Sequence, residues 1–127
     1  MKKILLFLLL YSTSFLFAQA NNQIPDLQQC SPNGHATFDL TTTTPFALAG
    51  LDAANFVVSY HQTQGDASAG TNAITPATSY VNLLNYQGIF IRIINISTSA
   101  VTIKGFHLIV NENPFVHDMS YTACDTD

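Results

Sequence analysis

Positive charge is scarce in this sequence, because only four of its 127 residues are lysine or arginine. Two of the four, Lys2 and Lys3, precede an apolar run at the N-terminus, which leaves Arg92 and Lys104 as the only cations of the remaining chain. Nucleic acids and anionic membrane surfaces are bound by clustered lysine and arginine side chains. The composition therefore argues against a nucleic-acid partner and against binding to an anionic membrane.

The sequence also lacks the residue patterns of common catalytic and metal sites. It has no G-x-S-x-G turn that would present a serine nucleophile. None of its four histidines lies in a close pair or in H-x-x-x-H spacing. Three of them, His35, His61 and His107, fall at outward strand positions and are expected to be surface side chains. We therefore expect a protein that is not an enzyme and that needs no cofactor.

The first 20 residues predict an export signal. Lys2 and Lys3 precede an apolar run from Ile4 to about Phe17, and Ala18-Gln19-Ala20 offers small residues at the positions that a signal peptidase inspects. The apolar run is shorter than the roughly 20 residues that a helix needs to cross a bilayer. We expect cleavage after Ala20, a secreted or cell-surface location, and no membrane span in the mature chain.

An exported chain can keep a disulfide, and this one has two cysteines, Cys30 and Cys124. A bridge between them would close a loop of 94 residues (124 − 30). The chain-entropy description credits a loop of that size with about 4.7 kcal/mol. The residues leave two alternatives, a Cys30–Cys124 disulfide or a separate partner for each cysteine elsewhere.

Short alternating segments dominate the chain after the signal. In "GIFIRIINIS" the side chains of Ile89, Ile91 and Ile93 face one way, and "VTIKGFHLIV" continues the pattern after a turn. Lys104 has the inward parity in that second segment, so Gly105 is a candidate bulge that resets the phase. One short helical turn is expected from Pro45 to Ala49.

Many short strands, turns rich in Gly, Pro and Asn, and no long helical pattern predict an all-β fold, an antiparallel immunoglobulin-like β-sandwich over residues 21–117. The chain has no tryptophan and so lacks the Cys-Trp-Cys core of antibody domains. Immunoglobulin-like therefore refers to architecture only.

An ordered set of motifs adds a resemblance. Cys30, the "FDLT" segment Phe38–Thr41, the "VSYH" segment Val58–His61 and the "IFIRIIN" segment Ile89–Asn95 follow one another, and "LIV" at Leu108–Val110 comes last. In this order they resemble the repeated β-sandwich modules of large, adhesin-like surface proteins of gliding bacteria. Such proteins usually end in a sorting domain of the gliding-motility type, which the type IX secretion system recognises.

The resemblance implies a non-catalytic structural or adhesion module that acts as a spacer or docking unit beside other modules of the same longer chain. Modules of this kind often carry a second cysteine in the turn where this chain has Ala100, so the resemblance implies that Cys30 lacks a partner inside its own module. It also implies that residues 118–127, with Cys124 and the acidic residues that follow, begin a second, truncated module or a tail.

Two further functions are weighed against the structural one. The first is a carbohydrate-binding module for surface glycans, in which the rings of Tyr80 and Tyr86 would stack on sugar faces. The second is a calcium site at Asp125 and Asp127, which match the first two ligands of a D-x-D-x-D-G loop. Two carboxylates supply too few ligands for that ion, so we expect no bound metal.

Overall fold

The computed structural model describes residues 23–112, which form six β-strands and two short α-helices. In chain order these are β1 (Leu27–Cys30), β2 (Thr37–Phe38), α1 (Thr44–Leu48), β3 (Phe56–His61), α2 (Gln64–Ala69), β4 (Tyr80–Val81), β5 (Gln87–Asn95) and β6 (Val101–Asn111). The expected signal peptide, residues 1–20, and the expected second unit, residues 118–127, lie outside the described residues. Within the described part of the chain, neither helix has the length and apolar character that a bilayer span requires.

The strands form a main sheet of four, in the order β1-β6-β5-β3, and a small sheet that pairs β2 with β4. The all-β class is confirmed. Antiparallel pairing joins β3 to β5, β5 to β6 and β2 to β4. The β1–β6 pair is parallel, unlike the antiparallel arrangement expected throughout. A parallel pair needs a crossover connection, and here the whole domain between the first and the last strand supplies it.

The core lies on one face of the main sheet, where the predicted alternation of β5 and β6 is confirmed. Three apolar residues of each strand are buried there: Ile89, Ile91, Ile93, Phe106, Leu108 and Val110. Five buried apolar residues from the small sheet and the helical turns cover this face: Phe38, Leu40, Ala47, Leu48 and Tyr80. The helical turn expected near Pro45 is also confirmed, because α1 has a proline in its first turn and Ala49 in left-handed conformation after its last residue.

The opposite face of the sheet is partly covered by α2. Ala67 of this helix is fully buried, and the helix packs against β3 and β5. Arg92, which faces outward from β5, donates from its Nη1 to the carbonyl oxygens of Ala67 and Ser68, both at 2.8 Å. The guanidinium thus supplies hydrogen bonds to carbonyl groups near the C-terminal end of α2, where a helix leaves such groups unsatisfied.

Two expectations about individual residues were wrong. His61 does face outward from β3, but it is only 1% exposed, because the chain after α2 lies over it. Gly105 is not a bulge, since β5 and β6 pair one residue to one from Gln87↔Leu108 to Ile94↔Val101. Lys104 keeps its inward parity at the margin of the core, where its Nζ donates to the Ala47 carbonyl oxygen at 2.8 Å.

Candidate functional site

The first and last strands of the described chain end side by side. In the parallel β1–β6 pair, Cys30 lies opposite Asn111, and the Ser31 N–H donates to the Asn111 carbonyl oxygen at 3.1 Å. Because the two strands run in the same direction, the chain leaves β6 directly beside Cys30. We call this part of the molecule the exit end.

A tight turn carries the chain from Cys30 towards β2. The Asn33 side-chain oxygen accepts from the Ser31 hydroxyl at 2.7 Å and from the His35 N–H at 3.1 Å. Gly34 has φ +73°, a left-handed conformation that glycine adopts without a steric cost. This turn, over the sequence "SPNG", follows directly after Cys30 at the end of β1.

Cys30 is half-buried and is disulfide-bonded. β1 is an edge strand of the main sheet. Cys30 therefore lies at the border of the sheet, because β1 pairs with only one neighbouring strand, β6. Cys124, the other cysteine of the predicted disulfide, lies outside the described residues.

The loop after β4 is fixed to the exit end by a buried asparagine that sequence reasoning missed. Asn82 is 1% exposed. Its Oδ1 accepts from the Ala36 N–H at 2.7 Å, and its Nδ2 donates to the carbonyl oxygens of Gly34 and Leu84, both at 2.9 Å. One side chain thus joins the turn before β2 to the loop after β4. The sequence signals for it are an asparagine between apolar residues, as in "VNLL", and its place in the "YVN" motif of Tyr80–Asn82.

A second asparagine ties the same loop to β6. The Asn85 Oδ1 accepts from the Val110 N–H at 3.0 Å, and its Nδ2 donates to the Val110 carbonyl oxygen at 2.8 Å. The amide therefore bonds both backbone groups of Val110, as a neighbouring strand would. Hydrogen bonds of this kind hold the loop in one place against the last strand.

Val81 of β4 and the loop after it expose four large apolar side chains. The exposed fractions are 50% for Val81, 58% for Leu83, 66% for Leu84 and 61% for Tyr86. We call residues 81–86 the apolar loop. Single exposed apolar side chains need no explanation, but several together on a fixed loop are typical of an interaction surface.

The two tyrosines proposed for glycan contact have different surroundings. Tyr80 is buried in the core, and its hydroxyl accepts from Gln87 Nε2 at 2.8 Å. Tyr86 is exposed, has φ +73°, and stacks on the His107 ring with centroids 4.7 Å apart and an interplanar angle of 20°. Asp26 also contacts His107: its Oδ1 accepts from the His107 backbone N–H at 2.7 Å and lies 3.3 Å from the ring Nδ1.

Polar residues around α2 form a separate cluster. Thr63 Oγ1 accepts the Asp66 N–H at 3.1 Å and donates to Asp66 Oδ2 at 2.7 Å, which caps the helix. The other carboxylate oxygen accepts from Asn72 Nδ2 at 2.9 Å and from the Thr71 hydroxyl at 3.1 Å. The hydrogen bond from Thr63 contributes most to lowering the pKa of Asp66, and those from Asn72 and Thr71 lower it further.

His61 connects this cluster to the sheet. Its Nδ1 donates to the Thr71 carbonyl oxygen at 2.7 Å, and its Nε2 lies 2.9 Å from the Ser59 hydroxyl. Both ring nitrogens are thus engaged by neighbouring groups. The arrangement joins β3 to the segment after α2, and its role is structural.

No group of three or more His, Cys, Asp or Glu side chains within residues 23–112 is placed to hold a metal ion. The two calcium candidates, Asp125 and Asp127, lie outside that range. A small, mainly apolar hollow of about 120 Å³ opens away from the exit end, between α1 and the β5–β6 pair. Its lining includes Leu48, Leu51 and Lys104.

One comparison with known proteins identifies a family. A family model described as the Flavobacterium inter-domain disulphide bond domain matches residues 26–114. The match spans 89 residues (114 − 26 + 1), which is more than half of the 127-residue chain. Searches of curated proteins and of solved structures returned no match. The chain belongs to the Flavobacterium inter-domain disulphide bond domain family.

Proposed function

We propose that this chain is a non-catalytic structural module of an exported bacterial surface protein, and that a Cys30–Cys124 disulfide ties its first strand to the segment that follows its last strand. The module then acts as a spacer or docking unit whose junction with the next part of the chain is covalently closed. The observation that carries the proposal is the parallel pairing of β1 with β6, which places Cys30 opposite Asn111.

The geometry of the exit end suits such a bridge. Cys124 lies 13 positions after Asn111 in the sequence (124 − 111). An extended chain of that length spans roughly 45 Å at about 3.5 Å per residue, so the segment has ample length to leave β6 and return to Cys30. The family description, with its inter-domain disulphide bond, supports the same placement.

The cations of the chain allow a direct test by tryptic mapping. After removal of residues 1–20, cleavage at Arg92 and Lys104 gives three peptides, 21–92, 93–104 and 105–127. A Cys30–Cys124 bridge joins the first peptide to the third. We expect unreduced protein, digested with its free thiols blocked, to yield the linked pair, and reduction to separate it.

A Cys124→Ser variant provides the matched control, because its 21–92 and 105–127 peptides have no bond to join them. Alkylation of both cysteines in the unreduced wild-type protein would overturn the proposal. A disulfide-linked dimer of 21–92 peptides from two molecules would also overturn it, since the bridge would then join separate chains.

The exported, cell-surface setting rests on the N-terminal pattern and on the resemblance to adhesin-like modules of gliding bacteria. Expression in a bacterium with a functioning secretion system should release protein whose first residue is Asn21. N-terminal sequencing checks this expectation. Protein that retains Lys2 and Lys3 would count against export.

The alternative function, glycan binding, is favoured by one observation at Tyr86. Its exposed ring is held by the stack on His107 and by a left-handed backbone conformation that costs a non-glycine residue about 1–3 kcal/mol. Strain of this kind often occurs at ligand contacts. Tyr80 is buried, so this alternative rests on Tyr86.

A glycan array separates the two functions. Binding that is lost in Tyr86→Ala and kept in Val57→Ala, an exposed residue of β3, would support the glycan-binding module. The structural function predicts no binding across the array for either protein.

A further inference from the structure

On the outer face of the main sheet, one position beside His107 carries no side chain. Gly88 of β5 pairs with His107 of β6, and paired residues of an antiparallel ladder point to the same face. Apart from its chain neighbours, a Cβ placed on Gly88 would have a single heavy atom of the described residues within 4 Å, Phe90 Cε2 at 3.9 Å. We call this open position the Gly88 notch.

Three aromatic rings border the Gly88 notch. Tyr86 and Phe90 are the second residues before and after Gly88 in the chain, and His107 lies across from it. The Tyr86 and His107 rings stack with centroids 4.7 Å apart. The Phe90 ring is half-buried and reaches the edge of the notch. Because small-molecule sites are lined mainly by apolar and aromatic side chains with a few placed polar groups, the rings supply the apolar part of such a site.

Asp26 and His107 supply the polar groups beside these rings. Their contact occupies Asp26 Oδ1 and the ring Nδ1, and the two side chains remain 37% and 45% exposed. Within the described residues, neither the other carboxylate oxygen, Oδ2, nor the other ring nitrogen, Nε2, takes part in a hydrogen bond. A carboxylate oxygen accepts from a hydroxyl group, and an imidazole nitrogen accepts from one or donates to one. These two atoms are therefore available to a ligand that carries hydroxyls.

The Tyr86 ring is held in place before any ligand arrives. Its backbone N–H donates to Asn85 Oδ1 at 3.0 Å, and the same amide side chain bonds both backbone groups of Val110. The stack on His107 restrains the ring itself. A side chain that is ordered in advance loses less conformational entropy when it binds, so this arrangement favours affinity.

We propose that the Gly88 notch binds one neutral pyranose unit of a surface glycan. The apolar C–H face of the sugar packs against the aromatic rings, and its hydroxyls bond to Asp26 Oδ2 and His107 Nε2. The inference rests on glycan binding, the alternative function described above, and adds the class of sugar and the residues that contact it.

The charges of the module disfavour acidic sugars. Residues 21–127 have a net charge of −6 (−4 − 2). Arg92 and Lys104, the cations of this part of the sequence, both donate to backbone carbonyl oxygens at other places. An acidic sugar in the notch would lie beside the Asp26 carboxylate with no opposite charge, and an unpaired charge is costly to remove from water. We therefore expect the bound sugar to be neutral.

The test applies residues 21–127 to an array of neutral, sulfated and uronate-bearing glycans, followed by calorimetry with the neutral glycan that binds best. Gly88→Val fills the notch with a side chain that favours strands, at a position where its Cβ has room. It should abolish binding. Asp26→Asn keeps an acceptor for the His107 N–H and replaces one carboxylate oxygen by a donor. It should weaken binding about tenfold, as expected for the loss of one hydrogen bond to a charged group.

Asp52→Asn is the matched control, because it removes the same charge from a carboxylate that accepts the Ala54 N–H ahead of β3. It should leave the dissociation constant unchanged. Urea unfolding verifies that each variant is folded under the conditions of the binding measurement. If Gly88→Val does not fold, the comparison of Asp26→Asn with Asp52→Asn decides.

The outcomes separate this site from glycan binding in general. Binding that Tyr86→Ala abolishes and that both Gly88→Val and Asp26→Asn leave unchanged would overturn the notch and leave glycan binding standing. Silence across the whole array would overturn both. A preference for sulfated or uronate-bearing glycans would overturn the neutral class of sugar. Binding of N-acetyltyrosinamide with every glycan silent would also overturn the proposal, because the occupant would then be an aromatic side chain of a peptide.

Discussion

Asn82 and Ala36 are joined by two hydrogen bonds across 46 residues of sequence. The Ala36 N–H donates to Asn82 Oδ1 at 2.7 Å, and the Asn82 N–H donates to the Ala36 carbonyl oxygen at 3.4 Å. The short β2–β4 pair lies immediately beside this contact. Since that pair contains only two residues on each strand, the asparagine extends a connection that would otherwise be weak.

Replacement of Asn82 by alanine should therefore destabilise the domain. The change removes the side-chain partner of the Ala36 N–H and of the carbonyl oxygens of Gly34 and Leu84; the bond to Gly34 is buried and the other two are partly buried. Unsatisfied buried groups cost about 1–3 kcal/mol each when water cannot reach them. We expect a loss of about 2–4 kcal/mol in the free energy of unfolding, measured by urea denaturation.

Asn55→Ala is the control for this prediction, because Asn55 is exposed, has no left-handed backbone conformation, and its side chain makes no hydrogen bond among those described for residues 23–112. Its loss should cost under about 1 kcal/mol. An equal loss in the free energy of unfolding for the two substitutions would show that the hydrogen bonds of Asn82 stabilise the domain no more than an exposed asparagine does.

The sequence allowed the central part of the fold to be predicted because its signal is local. Alternating isoleucines identified β5, and the same period identified β6. The parallel pairing of β1 with β6 could not be predicted in this way. Leu27 pairs with Leu108 across 81 residues. The sequence of a four-residue strand does not indicate whether its neighbour runs parallel or antiparallel to it.

Side chains on the outer face show the same limit. The alternation in β3 predicted that His61 and Tyr60 lie on opposite faces of the sheet, and that orientation is correct. Burial of His61 depends instead on the segment after α2, whose Thr71 carbonyl oxygen accepts from the ring. The site was predicted in part, since Cys30 and Tyr86 were recognised as candidates, whereas Asn82 and Asn85 act through contacts distant in sequence.

Two glycines near α2 should respond oppositely to the same substitution. Gly70 has φ +71°, and a Cβ there would lie 3.2 Å from the Arg92 guanidinium. Gly65 lies inside the helix, and a Cβ there would come no closer than 3.9 Å to another side chain. Gly70→Ala should destabilise by about 1–2 kcal/mol, because the left-handed conformation is unfavourable for alanine.

Gly65→Ala should stabilise by about 0.5 kcal/mol, since alanine favours the helix and restricts the unfolded chain. Thermal and urea unfolding of the two variants in parallel provide the measurement. Destabilisation by both would mean that the beginning of α2 is as constrained as its end.

The carboxylate of Asp66 should make the α2 region sensitive to acid. Hydrogen bonds from Thr63, Asn72 and Thr71, in that order of importance, hold the pKa of Asp66 below its ordinary value. A group whose pKa is lower in the folded state stabilises the fold above its unfolded pKa, and this contribution disappears as the pH falls through the folded pKa. The contribution should therefore be complete at neutral pH and lost progressively below about pH 4.

A carbon-detected NMR titration of the Asp66 carboxyl group checks the direction of this shift. In Thr63→Val, which removes the most important hydrogen bond, the pKa of Asp66 should move upward towards its ordinary value. Thr42→Val serves as the control, because the hydroxyl of Thr42 donates to the Asp39 carbonyl oxygen and has no contact with Asp66. An unchanged pKa in Thr63→Val would contradict the assigned cause.

Loss of the proposed disulfide should lower the free energy of unfolding, mainly because the unfolded chain then has more conformations available to it. A bridge across 94 residues (124 − 30) limits the conformations of the unfolded state and should contribute about 3–5 kcal/mol. Cys30→Ser, Cys124→Ser and the double variant should lose similar amounts in urea unfolding, since breaking either end of one bond has the same result. The wild-type protein under reducing conditions should behave like the variants. A large effect of Cys30→Ser with none from Cys124→Ser would show that Cys30 has another partner, and the closed junction at the exit end would then have to be abandoned.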